Sequence, residues 1–146
     1  MGMGWRIATD LLDAILADAR AEPGLERCGL LYGGAAEITG FAPARNVAAD
    51  PRRRFEVDPA ALLAAHRATR RGGPAIVGCY HSHPSGPPEP SAQDAAHAEP
   101  NGWLWLIVSP GDARLWRAVA SGGRHGRFDP AALACADPPA SPQRRG

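Results

Sequence analysis

The chain has 146 residues with 16 basic and 15 acidic side chains, which give a formal net charge of +1. This length supports one compact domain, and 45% hydrophobic with 21% charged residues excludes an intrinsically disordered chain. The near-zero charge disfavours a dedicated nucleic-acid binder. The sequence shows neither an apolar run of the ~20 residues that span a bilayer nor a secretory leader, so we expect a cytoplasmic protein without membrane or nucleic-acid partners.

The first half of the chain predicts two helices and a hairpin. After a short apolar start, apolar residues recur with a period of 3.6, and the pattern ends at a Pro-Gly pair. A buried strand then turns at two glycines into a second strand. The predicted elements are a helix between Thr9 and Pro23, strands at 28–32 and 38–41, and a helix between the N-cap Asp58 and Gly72.

The second half predicts a central strand followed by a proline-rich loop. The strand covers residues 75–83, and four prolines in the segment 84–90 make the loop stiff. A short helix from Ala92 to about Glu99 and two strands at 103–108 and 114–120 follow. We expect one domain over residues 1–128 and a flexible tail over 129–146, because the tail is rich in Pro, Ala and Arg.

The residues that point to chemistry surround this loop. His81 and His83 lie two apart on the predicted strand, so both imidazoles project from one face and can reach one ion. Asp94 lies one turn into the helix that Ser91 opens, and its carboxylate can complete a set of two histidines and one carboxylate. Three protein ligands leave a fourth position open, which suits catalysis.

Each part of this pattern has a plainer interpretation. Ser91 and Asp94 match an ordinary helix-capping arrangement, and two histidines on a strand are more often simple imidazoles than metal ligands. The combination at this spacing favours a metal site, although a motif alone remains a hypothesis.

The whole pattern resembles the JAMM (MPN+) family of zinc metallopeptidases between Glu26 and about Pro110. The sequence would be a small stand-alone member of bacterial type. The resemblance rests on Glu26-Arg27-Cys28-Gly29-Leu30-Leu31, Arg45-Asn46-Val47, Phe55-Glu56-Val57-Asp58-Pro59, and Gly78-Cys79-Tyr80-His81-Ser82-His83-Pro84 with Ser91 and Asp94.

The resemblance implies a role for five residues. One zinc ion per chain would be bound by His81, His83 and Asp94. Glu26 would be the general base, and Ser91 would stabilise the oxyanion. From the residues alone a surface charge before a buried strand is the favoured interpretation of Glu26. Three other carboxylates compete with it as the base: Glu22, Glu56 and Glu89.

The resemblance also implies the fold and the activity. The fold would be α/β (α+β), a curved mixed β-sheet flanked by helices, similar to that of cytidine deaminases. The activity would be zinc-dependent hydrolysis of the peptide or isopeptide bond after the tail of a ubiquitin-like or sulfur-carrier (β-grasp) protein ending in Gly-Gly. A non-catalytic MPN-type scaffold is the alternative. A zinc nucleoside deaminase is disfavoured, since the sequence lacks its His-x-Glu and Pro-Cys-x-x-Cys motifs.

The remaining histidines, cysteines and arginines have simpler interpretations. His66, His97 and His125 are expected at the surface, and Cys79 is expected in the core near the site. The arginine run 52–54 is either a solvated loop or a docking point for an acidic partner.

Overall fold

The computed structural model describes residues 4–136, which form one eight-stranded mixed sheet with three helices. The elements in chain order are β1 Trp5–Ala8, α1 Thr9–Ala19, β2 Cys28–Gly34, β3 Glu37–Ala44, α2 Pro59–Arg70, β4 Ile76–Ser82, α3 Ala92–His97, β5 Leu104–Val108, β6 Ala113–Gly122, β7 Gly126–Ala131 and β8 Leu133–Ala136. The predicted α+β class is therefore confirmed.

The sheet curves until it is nearly closed. Its strand order is β7-β6-β5-β4-β2-β3-β1-β8, so the two outermost strands are consecutive in the chain and only Ala132 separates them. One residue cannot cross a flat sheet of eight strands, which are spaced roughly 4.8 Å apart. The sheet must therefore bend round to bring its two ends together.

The two faces of the sheet carry separate apolar cores. The first core packs against α1 and includes Ile15, Leu31 and Tyr80. The second, on the other face, contains Cys79 and Trp105 among other residues. Since side chains alternate along a strand, β4 sends Tyr80 toward α1 and its neighbours in sequence toward the second core. The candidate site lies on this second face.

The end of the folded unit differs from the prediction. A boundary after residue 128 is wrong, because residues 129–131 form the end of β7. Strand β8 follows and pairs in parallel with β1, with Trp5 opposite Leu133. Pro130 is tolerated because β7 pairs only with β6. Proline has no backbone N–H to donate, and on an edge strand the missing donor can face away from the neighbouring strand. Residues 137–146, where the tail was also predicted, lie outside the described residues.

The other predicted elements are confirmed with small shifts of their ends. The carboxylate of Asp58 accepts a hydrogen bond from the Ala60 N–H at the start of α2. Strands β2 and β3 form the expected hairpin, and β4 pairs with both β2 and β5 near the centre of the sheet. None of the helices within residues 4–136 is long and apolar enough to cross a bilayer.

Candidate metal centre

Four buried side chains bring potential ligand atoms to within 4.8 Å of one another: Glu26, His81, His83 and Asp94. All four were singled out by the sequence. They come from β4 and the residue after it, from α3, and from the residues just before β2. No other such group of three or more occurs within residues 4–136.

The two imidazoles and the carboxylate converge on one point. The Nε2 atoms of His81 and His83 are 3.0 Å apart. Asp94 Oδ2 lies 3.3 Å from the Nε2 atom of His81 and 3.1 Å from that of His83. The two histidines project from one face at the end of β4, as their spacing predicted.

Neighbouring groups fix the orientation of both rings. The Nδ1 atom of His83 lies 2.9 Å from the carbonyl oxygen of Pro87. A carbonyl only accepts, so Nδ1 carries the proton and the Nε2 lone pair of the neutral ring faces the cluster. The His81 ring stacks on Phe55 with centroids 4.2 Å apart and meets Trp105 edge-on at 5.5 Å.

Asp94 is positioned by the start of α3. Ser91 and Asp94 form a reciprocal capping box: the Ser91 Oγ accepts from the Asp94 N–H, and Asp94 Oδ2 accepts from the Ser91 N–H. The capping interpretation and the ligand interpretation of this pair are thus compatible, because the same carboxylate oxygen lies beside both histidines.

The proline-rich loop before α3 is held from β6 and the turn after it. The indole N–H of Trp116 donates to the Pro88 carbonyl at 3.0 Å. Glu89 lies between the guanidinium groups of Arg114 and Arg124, at 3.6 and 3.3 Å. These contacts hold the loop against β6 and the turn after it, which limits the freedom of Ser91 and Asp94.

Glu26 reaches the cluster because β2 runs beside β4, with Cys28 opposite His81. Its N–H donates to the Pro51 carbonyl at 2.7 Å, and its carbonyl accepts from the Asn46 Nδ2 at 2.8 Å. Asn46 also donates to the Arg54 carbonyl, and its Oδ1 accepts from the N–H groups of two further residues, Ala48 and Glu56. Asn46 therefore joins the loop after β3 to the backbone of Glu26.

Burial and the neighbouring charges shift the pKa values of all four groups. Burial raises the pKa of Glu26 to about 7, although His83 opposes the shift. Burial also opposes ionisation of Asp94, but the adjacent imidazoles outweigh it and hold the pKa of Asp94 well below its usual range. Burial lowers the pKa of His81, whereas Asp94 overcomes burial and raises the pKa of His83.

The donor set fits a divalent cation. Two imidazole nitrogens and one carboxylate oxygen form a common zinc ligand set with one position left open. Glu26 Oε1 is buried and has no hydrogen-bond partner among the described residues, which is costly for a carboxylate unless another group enters the site. The site therefore has both the ligands and an unsatisfied acceptor that a metal with bound water would use.

The other candidate residues lie apart from the cluster. Glu22 pairs with Arg27, and Glu89 pairs as described above. Glu56 is exposed, and so are the remaining histidines, as predicted. Phe55, Asn46 and Trp116 support the cluster, but their positions were not predicted, since they act through tertiary contacts that sequence spacing does not reveal.

The fold and the cluster define a class: α+β proteins with a buried group of potential metal ligands at the end of a central strand. The sequence model for prokaryotic homologues of the JAB domain matches residues 8–119, and the chain belongs to this family. It resembles a JAB1/MPN domain protein from Archaeoglobus fulgidus in fold, with a TM-score of 0.53, 20% identity, and coverage of 90% of this chain and 98% of that one.

Two relatives have names that indicate an activity. The chain is 41% identical over 115 residues to the Haloferax volcanii protein named desampylase, covering 75% of this chain and 82% of that protein. It is 35% identical over 97 residues to a Thermus thermophilus protein named probable TtuB-protein conjugate cleaving protease. That match covers 66% of this chain and 65% of the relative.

Proposed function

We propose that the protein is a zinc-dependent hydrolase that cleaves the peptide or isopeptide bond after the C-terminal Gly-Gly tail of a ubiquitin-like or sulfur-carrier β-grasp protein. The convergence of Glu26, His81, His83 and Asp94 is the observation that carries the proposal. The names of the two relatives, a desampylase and a conjugate-cleaving protease, support the substrate class.

In this proposal His81, His83 and Asp94 hold one zinc ion, because their three ligand atoms already converge. When bound with three protein ligands, zinc lowers the pKa of a coordinated water and polarises a carbonyl group. The Pro87 carbonyl keeps the His83 ring in the tautomer that offers Nε2 to a metal.

Glu26 is the proposed general base. Its pKa of about 7 lets it accept a proton from water at neutral pH and return that proton to the departing amine. The buried Oε1, which lacks a partner among the described residues, would hold the proton between these two transfers.

Ser91 is the proposed oxyanion donor. Its Oγ accepts the Asp94 N–H, so the hydroxyl hydrogen is available for a second group. Ser91 lines a cleft of about 390 Å³ together with Glu26 and His83. A carbonyl in this cleft would lie between the proposed base and the proposed oxyanion donor.

We place this activity in the cytoplasm, because Cys28 and Cys79 are buried free thiols and such thiols suit a reducing compartment.

A cleavage assay tests the proposal. The zinc-loaded protein is incubated with a β-grasp carrier that is extended by a few residues beyond its Gly-Gly, and the product mass is followed. We expect cleavage after Gly-Gly, and we expect Glu26→Gln to slow it roughly 100- to 10,000-fold, the usual contribution of a general base.

The exposed Glu56 provides the matched control, since Glu56→Gln removes the same charge outside the cluster and should retain full activity. Unchanged cleavage by Glu26→Gln would overturn the choice of base. No cleavage by the unmodified zinc-loaded protein would overturn the hydrolase proposal and favour a protein-binding scaffold.

A further inference from the structure

Four exposed arginines lie at the edge of the candidate site, on the loop that follows β3. We call Arg45, Arg52, Arg53 and Arg54 the arginine rim. The segment 45–57 that contains them includes only two acidic residues, Asp50 and Glu56. The rim is therefore a local excess of positive charge in a chain whose formal net charge is +1.

The rim adjoins the cluster because the loop is bound to Glu26. The Pro51 carbonyl accepts the Glu26 N–H, and Pro51 directly precedes Arg52. Arg52 and Arg53 line the same cleft as Glu26, His83 and Ser91. The other two arginines line the adjoining cavities: Arg45 the one that Glu26 borders, and Arg54 the one that Asp94 borders.

The rim arginines form few ion pairs with other residues in the described part of the chain. Within residues 4–136 the only salt bridge of a rim residue joins Arg53 to Asp50 at 3.8 Å, and the Arg53 side chain is 82% exposed. Glu89 borders the same cleft but already lies between Arg114 and Arg124. The rim guanidinium groups are thus available to carboxylates from another molecule.

The loop also holds the rim in place. Asn46 donates to the carbonyls of Glu26 and Arg54, and the N–H groups of Arg53 and Arg54 donate to the Asp50 carbonyl at 3.1 Å. A rim fixed in this way binds carboxylates with a smaller loss of backbone entropy than a mobile loop would.

We propose that the arginine rim binds acidic side chains of the substrate protein that lie a few residues before the scissile bond. This inference rests on the proposed function, and it adds a charge requirement for the carrier. Arg52 and Arg53 line the cleft that would hold the tail, and an extended tail advances ~3.3 Å per residue, so residues a few positions before the scissile bond would lie beside the rim. Guanidinium groups suit this role because they bind carboxylates in a two-pronged geometry.

Two fluorogenic peptides test the proposal. Both end in Gly-Gly joined to aminomethylcoumarin, and they differ in having three Glu or three Gln residues before a short spacer. We expect the zinc-loaded protein to cleave the Glu peptide about fivefold more efficiently at low salt, as a few exposed ion pairs allow. Salt at about 0.5 M should reduce this preference, because it screens exposed charges.

Two triple variants separate the rim from general charge effects. Replacing Arg52, Arg53 and Arg54 by Gln should abolish the preference for the Glu peptide. Replacing the exposed Arg67, Arg70 and Arg71 by Gln removes the same charge at the other end of α2 and should preserve it. Equal cleavage of the two peptides by the unmodified protein would overturn the proposal.

Binding of fluorescein-labelled versions of the peptides, measured by anisotropy, distinguishes the two proposals. If the zinc-loaded protein does not cleave the extended carrier but binds the Glu peptide more tightly through the rim, the hydrolase proposal fails and the rim proposal stands. Equal binding of both peptides, or tighter rim-dependent binding of a labelled single-stranded oligonucleotide, would contradict an acidic protein partner.

Discussion

Replacing Glu26 by Gln should stabilise the metal-free protein at high pH. Burial in the folded protein raises the pKa of the Glu26 carboxyl group from 4.5 to about 7. The carboxyl group is therefore well tolerated while it is protonated, and its contribution to stability is lost as the pH rises through the folded-state pKa. Gln has nearly the same shape and stays neutral at every pH.

The size of the effect follows from the pKa shift. Each pKa unit corresponds to about 1.4 kcal/mol, so the full shift from 4.5 to about 7 corresponds to about 3 kcal/mol above pH 8. Glu26 also borders the open cleft, where solvent screens its charge, so ionised Glu26 should destabilise the folded state by about 1 to 3 kcal/mol. The free energy of unfolding of the two proteins should be similar near pH 4 and should diverge across pH 4.5 to 8, with the variant more stable at the upper end.

Urea denaturation in EDTA at a series of pH values measures this difference. Titrating groups that do not interact with Glu26 cancel when the two proteins are compared at each pH, so the difference reports Glu26 together with its charged neighbour His83. Glu56→Gln, an exposed change on the loop after β3, should alter the stability by less than about 0.5 kcal/mol at all pH values. Parallel pH profiles for Glu26→Gln and the unmodified protein would refute the assignment of a buried, destabilised carboxylate.

Three further substitutions test the supports of the site. Ser91→Ala should reduce turnover of the Gly-Gly carrier roughly 100- to 1,000-fold, as expected for loss of an oxyanion donor. Ser91→Thr keeps a hydroxyl group and should recover part of the lost turnover. Equal loss in both variants would argue against a role for the hydroxyl. Trp116→Phe should lower the free energy of unfolding in urea by about 1 to 3 kcal/mol, because the Pro88 carbonyl loses its partner; an unchanged midpoint would contradict this. Asn46→Ala should cost about 2 kcal/mol or more by the same measurement, and a smaller loss than for Asn101→Ala would show that the Asn46 contacts contribute little.

The three proposed metal ligands could be predicted because their geometry is local. Two histidines on one strand share a face whatever the rest of the fold does, and the stiff loop places Asp94 within one turn of a helix start. The capping box that competed with this interpretation is present as well. Local spacing thus predicts the cluster of His81, His83 and Asp94.

The position of Glu26 and the existence of strand β8 depend on tertiary contacts that the spacing of residues in the sequence does not reveal. Glu26 joins the cluster through the register of β2 with β4, which the spacing of residues in the sequence does not reveal, so three other glutamates remained rival candidates for the base. Strand β8 forms because β1 offers a parallel partner from the opposite end of the chain. A Pro- and Ala-rich segment gives little sign of such a strand, and this is why the predicted tail began too early.

The zinc content of the protein tests the central claim most directly. Protein purified without added zinc, together with His83→Ala and the exposed control His66→Ala, is analysed by elemental mass spectrometry. The site predicts about one zinc per chain for the unmodified protein and for His66→Ala, and almost none for His83→Ala. Near-zero zinc in the unmodified protein, or equal zinc in all three, would contradict a metal centre built on β4 and α3.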